Sequence, residues 1–180
     1  MLYMFLAGGF EETEAIATLD IIKRAGIDIQ TVGIDKKEVT GSHNITVKCD
    51  ILKEEVSKEN LDGVILPGGM PGTLNLQKDL FVEEMVLYAN ENKKLVAAIC
   101  AAPMILGELG VLEDKMATCY PGFETHFCGG RYTGELVQVC ENVITGKGAG
   151  AALFFGAEII EYFKPQLGKE LLEEMQCFAD

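Results

Sequence analysis

Basic residues are scarce in this chain. Only 15 lysines and arginines stand against 28 aspartates and glutamates, a formal net charge of −13. Such a surface repels phosphate backbones and anionic bilayers, so neither nucleic acid nor membrane is an expected partner. The apolar opening stretch Leu2 to Ala7 has no basic leader, is too short for a signal-peptide core and is far too short to span a bilayer, so it reads as a strand. The expected location is therefore cytoplasmic. The six cysteines, at 49, 100, 119, 128, 140 and 177, contain no C-x-x-C pair, which argues against disulfides and structural zinc. Cys119, His126 and Cys128 form the tightest metal-like grouping, but no fourth ligand has suitable spacing. Neither a metal nor an organic cofactor is expected. No repeat, low-complexity tract or linker divides the chain, and 180 residues with 48% hydrophobic content suit one domain over 1–180.

What the chain does contain is an alternation of short apolar runs with helical spacing. Leu2 to Ala7, Ile27 to Ile34, Leu61 to Leu66 and Lys94 to Ile99 read as strands, three of them nearly continuous, as in a parallel sheet buried on both faces. Helices are expected from Glu12 to Ala25, Asp79 to Asn92, Ala149 to Phe163, and Pro165 to Cys177, the last starting on a favourable proline. Val39 to Cys49 suggests a small antiparallel excursion, an edge hairpin, and Leu136 to Cys140 and Val143 to Thr145 suggest two more short strands. The fold class is α/β, an open doubly wound sheet whose ligands would sit beyond the carboxyl ends of the strands.

Three unusual turns fall at such ends. In Lys94-Leu-Val-Ala-Ala-Ile-Cys100-Ala-Ala-Pro-Met104 an apolar strand stops at a cysteine and a helix starts at once, as in a nucleophile elbow. Ala98 and Ala102 are small where the tight turn demands it, and Pro103 falls in the first helical turn, where its missing N–H costs nothing. The positive end of that helix would favour a thiolate at Cys100. The alternative is a cysteine that only packs. In Leu66-Pro-Gly-Gly-Met-Pro-Gly72, Gly68 and Gly69 can turn their N–H groups outward; beside Cys100, the amides of Gly69 and Ala101 could hold an oxyanion. A plain chain reversal is the other reading. In Gly8-Gly-Phe-Glu-Glu-Thr-Glu14, Glu11 and Glu12 are explained by the helix dipole, whereas Glu14 could stay protonated beside a thiolate and donate to it. Gly146-Lys-Gly-Ala-Gly150 lacks Walker spacing and reads as a turn, and His43 and His126 lie in polar, solvated segments.

Taken together, Gly9-Phe-Glu-Glu-Thr-Glu14, Leu66-Pro-Gly-Gly69 and Ala97-Ala-Ile-Cys-Ala-Ala-Pro103 resemble the ThiJ/PfpI superfamily, in the branch that contains the human parkinsonism-associated deglycase. The resemblance covers nearly the whole chain. It implies a flavodoxin-like sheet, related to class I glutamine amidotransferases, in a homodimer with Cys49 near its interface. It also implies Cys100 as nucleophile, Glu14 as its protonated partner, and Gly69 and Ala101 as backbone donors. One departure stands at Tyr120, in Thr118-Cys-Tyr-Pro121, where the human member has histidine; a Cys-His mechanism is not expected, and Tyr120 would donate its hydroxyl or wall the cleft beside Gly68. No histidine is followed by the His-x-Glu pair of the amidotransferases, and Ala101 replaces the histidine that follows the cysteine in the intracellular-protease branch. The implied activity is glyoxalase-like or deglycase-like, on a small carbonyl substrate. The alternatives are a redox sensor or redox-regulated chaperone working through oxidation of Cys100, and an interaction module whose thiol is incidental.

Overall fold

The computed structural model describes residues 1–178. Its strands are β1 (Leu2–Leu6), β2 (Ile29–Gly33), β3 (Glu38–Thr40), β4 (Thr46–Lys48), β5 (Ile51–Leu52), β6 (Gly63–Leu66), β7 (Leu95–Ile99), β8 (Met116–Ala117), β9 (Arg131–Tyr132), β10 (Val137–Cys140) and β11 (Val143–Gly146). The helices are α1 (Glu12–Arg24), α2 (Gly72–Gln77), α3 (Leu80–Glu91), α4 (Pro103–Glu108), α5 (Ala152–Phe163) and α6 (Leu167–Glu174). Seven strands make one sheet in the order β10-β11-β7-β6-β1-β2-β5, parallel throughout except for the β10–β11 pair.

The continuous apolar runs are explained by helices on both faces. Every residue of β1 and β7 is buried, and neighbours along β1 point to opposite sides: Phe5 joins a cluster with Val64, Val82, Met85 and Leu106, while Met4 and Leu6 join one with Ile21, Ile65 and Phe155. Thus α2, α3 and α4 cover one face and α1, α5 and α6 the other. Each such side chain contributes about 1.5–3 kcal/mol when withdrawn from water. Asp79 caps α3 by accepting from the N–H groups of Phe81 and Val82, and Gly26, at φ +62, takes the left-handed turn just past α1. No helix among the described residues is long and apolar enough to cross a membrane.

Two expectations are corrected. The hairpin β3–β4 is not an edge of the main sheet; it is a separate two-stranded unit, and β5 supplies the edge beside β2. It packs instead on the entry to α1, where Gly9 N–H donates to the Thr40 carbonyl and Ser42 N–H to the Phe10 carbonyl, both at 2.8 Å. Helix α6 starts at Leu167 rather than Pro165, because the Glu161 carboxylate on α5 accepts from the N–H groups of Gln166 (2.6 Å) and Lys169 (3.0 Å) and so sets where the helix begins. With β6 lying between β1 and β7, the turns that leave their carboxyl ends meet on one rim of the sheet.

Candidate active site

The central turn of that rim is the one after β7. Cys100 has φ +64, a left-handed conformation that costs a non-glycine residue about 1–2 kcal/mol and persists only where the surroundings hold it. They do so on both sides of the peptide: Cys100 N–H donates to the Gly146 carbonyl at 2.9 Å, and Tyr120 N–H donates to the Cys100 carbonyl at 2.8 Å. Helix α4 begins at once, with Pro103 in its first turn and Ala98 and Ala102 fully buried. The thiol itself is half-buried.

Glu14 comes from the first turn of α1 and is 1% exposed. Its carboxyl lies beside the Cys100 side chain, both against Gly68, and its Oε2 accepts the Gly68 N–H at 2.8 Å. Gly68 is required by space, because a Cβ there would stand 2.7 Å from the Cys100 Cβ and 2.8 Å from Glu14 Oε2. Gly69, at φ +91, turns its N–H toward the Cys100 sulfur, and the Ala101 N–H converges on it from the other side. The structure therefore brings Cys100, Glu14, Gly68, Gly69 and Ala101 together.

The electrostatics of the pair run against one expectation. Burial, and then the charge of Glu14, push the Cys100 thiol up to about 12, against the smaller opposing pull of the Ala101 and Gly69 N–H groups. Burial also raises the Glu14 carboxyl to about 7, with the Glu11 charge adding to the rise and the hydrogen bonds from Cys100 and Gly68 opposing it. The two groups titrate as one unit in which each negative charge disfavours the other. A thiolate at Cys100 is consequently tied to a protonated Glu14, whose O–H can donate to the sulfur.

Tyr120 borders this rim through its backbone bond to Cys100. Its ring is half-exposed, packs edge-on against Phe123 and lies 3.5 Å from where a Cβ on Gly148 would be, and its hydroxyl has no partner among the described residues. His126 sits away from the pair, with Nδ1 2.7 Å from Glu108 Oε1. Cys49 is buried within the chain, and burial raises its thiol to about 11.

Helix-dipole reasoning missed what Glu11 and Glu12 do. Glu11 is the N-cap of α1, its Oε2 accepting the Glu14 N–H at 2.7 Å. Glu12 is buried and clamps the β3–β4 turn, accepting from the N–H groups of His43 (2.7 Å) and Ile45 (3.3 Å), from the Ser42 hydroxyl (3.3 Å) and from His43 Nδ1 (2.8 Å). Gly41 packs so closely on this carboxylate that any Cβ would overlap it. The sole local signal was a run of three carboxylates in four residues, more than a dipole needs.

Comparison with known proteins was decisive at the level of the family, since the DJ-1/PfpI family model matches residues 2–162. The chain belongs to the DJ-1/PfpI family. It is 34% identical over 163 residues to the Parkinson disease protein 7 homolog of Danio rerio, covering 88% of this chain and 86% of that one. It is 29% identical over 171 residues to a Caenorhabditis elegans protein named glutathione-independent glyoxalase DJR-1.2, covering 94% and 91%. It spans 44% of the length of DJ-1 homolog A of Arabidopsis thaliana. A solved structure of Toxoplasma gondii DJ-1 in oxidized form superposes with a TM-score of 0.92 over 97% of both chains at 29% identity. The flavodoxin-like doubly wound sheet is that of this family.

Proposed function

We propose that this member of the DJ-1/PfpI family is a cofactor-independent enzyme acting on reactive dicarbonyls or on their early adducts with proteins or nucleotides. The observation that carries the reading is the buried Glu14 carboxyl, raised to about 7, held against the Cys100 thiol. A group with that pKa can both give and take a proton near neutrality. The sulfur of Cys100 adds to the aldehyde carbon, the carbonyl electron pair moves to oxygen, and that oxygen takes a proton, leaving a thiohemiacetal. The Gly69 and Ala101 N–H groups stabilise the oxygen while it is negative. Glu14 then removes the proton from the carbon bearing sulfur while the neighbouring carbonyl oxygen takes one, giving an enediol, and a proton returned to the neighbouring carbon as the hydroxyl on the sulfur-bearing carbon gives up its own leaves a thioester of a hydroxy acid. Water cleaves the thioester and restores the thiol, so the sum is addition of one water. Half-exposed Tyr120 walls the entrance.

The name of the Caenorhabditis elegans relative supports this reaction class. A second reading, oxidation of Cys100 as a signal, is favoured by the oxidized Toxoplasma gondii structure. We also propose a homodimer, for which Ile16 on α1 and Ile45 in the β3–β4 turn supply exposed apolar surface. The test is methylglyoxal turnover in the wild type, Cys100→Ser and Glu14→Gln, beside the rate of Cys100 alkylation as a function of pH. Turnover abolished by Cys100→Ser supports the enzyme. A reactive Cys100 in a wild type that turns over nothing refutes it and leaves the sensor.

A further inference from the structure

Three residues of the site close a ring of hydrogen bonds. Glu11 N–H donates to the Gly68 carbonyl at 2.9 Å, Gly68 N–H donates to Glu14 Oε2 at 2.8 Å, and Glu14 N–H donates to Glu11 Oε2 at 2.7 Å. Gly69 packs so tightly on the Glu11 amide that a Cβ there would overlap it. The ring thus ties the β6–α2 turn to the start of α1 at the point where both face Cys100. Only one corner of it is a charged group held as an acceptor with no reacting atom beside it, and that corner is Glu11.

We propose that Glu11 is a positioning residue for the proton on Glu14: its carboxylate fixes the first turn of α1 so that Glu14 meets Gly68 and Cys100 together, and its negative charge adds to the burial that favours that proton. Both halves follow from the ring. The cap orients the backbone of Glu14, and a fixed anion one helical turn from a buried carboxyl disfavours a second negative charge there. The ionisable groups that face the ring are Cys100 after β7, Glu12 on α1 and His43 in the β3–β4 turn. His43 Nδ1 lies 3.8 Å from Glu11 Oε1, so a protonated His43 offsets part of the Glu11 charge. The inference rests on the reading of Glu14 as the proton carrier.

Two variants separate the halves. In Glu11→Gln the amide oxygen still accepts the Glu14 N–H while the charge is gone; in Glu11→Ala both are lost. The measurements are the carbon-13 NMR titration of the Glu14 carboxyl and the rate of Cys100 alkylation by iodoacetamide, neither of which requires turnover, followed by the pH profile of methylglyoxal turnover. In Glu11→Gln the Glu14 midpoint is expected to fall by about half a pH unit, roughly a threefold change in the protonated fraction near neutrality. Alkylation at pH 7 should slow by a similar factor, because a carboxylate replaces an O–H donor beside the sulfur. Glu11→Ala should add a loss of turnover at every pH. A His43→Gln control should move the midpoint slightly upward. Glu14 and Cys100 titrations in Glu11→Gln that superimpose on the wild type overturn the inference, whether or not the wild type turns over methylglyoxal. A shifted titration in a protein without turnover would refute the enzyme reading alone.

Discussion

Glu12 and Glu14 are the same residue type, two positions apart in one helical turn, both buried, and they carry opposite charge behaviour. Burial pushes both carboxyls up. For Glu12 that push is beaten by hydrogen bonds from the side chain and backbone of His43 and the backbone of Ile45, which hold it down at about 2. For Glu14 the donors are one backbone N–H and a thiol, the nearest charge is another carboxylate, and it stands at about 7. The difference shows that low exposure alone does not decide the state of an acid. Depth and the donors aimed at it act together: Glu12 lies close under the surface with several donors and Glu14 deeper with few, so the chain uses one carboxylate to hold a hairpin and its neighbour to hold a proton.

The largest expected effect comes from removing the proton at Glu14. Glu14→Gln keeps an acceptor for the Gly68 N–H but can neither take nor give a proton, and methylglyoxal turnover should fall by about 100-fold or more. Stability should move the other way. Because the folded pKa lies above the ordinary carboxyl value of 4.5, the native state binds more protons than the unfolded chain between pH 4.5 and about 7, and the wild type loses stability as pH rises through that window. The variant lacks this loss. Urea unfolding should find it more stable than the wild type by about 1–3 kcal/mol at pH 8 and indistinguishable at pH 4. Equal stabilities at pH 8 would mean that Glu14 is not held protonated.

Next in size is the clamp. Glu12→Ala strands the N–H groups of His43 and Ile45 and opens a gap beside Gly41, which should cost about 2 kcal/mol. Hydrogen exchange should speed up at Ile45, measured by NMR, while Glu14 keeps its raised titration. A Glu14 midpoint that moves with the hairpin would break the comparison by showing that the two carboxylates are one unit.

Much of this was legible in local sequence, and the parts that were not share a cause. The elbow could be read because strand, Cys100, two alanines and Pro103 are contiguous, and the apolar runs of β1 and β7 report burial on both faces directly. Short α2, β5, β8 and β9 escaped because two to six residues carry no measurable period. The role of Glu12 escaped because its partners lie about thirty residues away, in a turn whose docking on α1 depends on tertiary packing. The sign of the thiol shift was misjudged for the same reason. A helix start can be read from Pro103, but the burial of the sulfur and the approach of Glu14 cannot. The resemblance of three motifs to one family supplied the pairing of Cys100 with Glu14 that spacing alone left open.

The smallest expected effect tests the outer side of the clamp. The His43 imidazole is exposed, and its pKa is raised by its hydrogen bond to Glu12, by the Glu12 charge and by that of Glu11, with burial opposing. A base whose folded pKa exceeds its unfolded value of 6.5 adds stability at pH below 6.5 and gives it up as pH rises through the folded pKa. His43→Gln should therefore leave the urea midpoint unchanged at pH 9 and lower it at pH 5.5. Because the ring is in solvent, 0.5 M salt should erase most of that difference, whereas the Glu14→Gln effect, arising in a dry site, should persist. A His43→Gln effect that survives both high pH and high salt would place the clamp's strength in the backbone donors of the turn, and would reduce the contrast between the two carboxylates to a count of N–H groups.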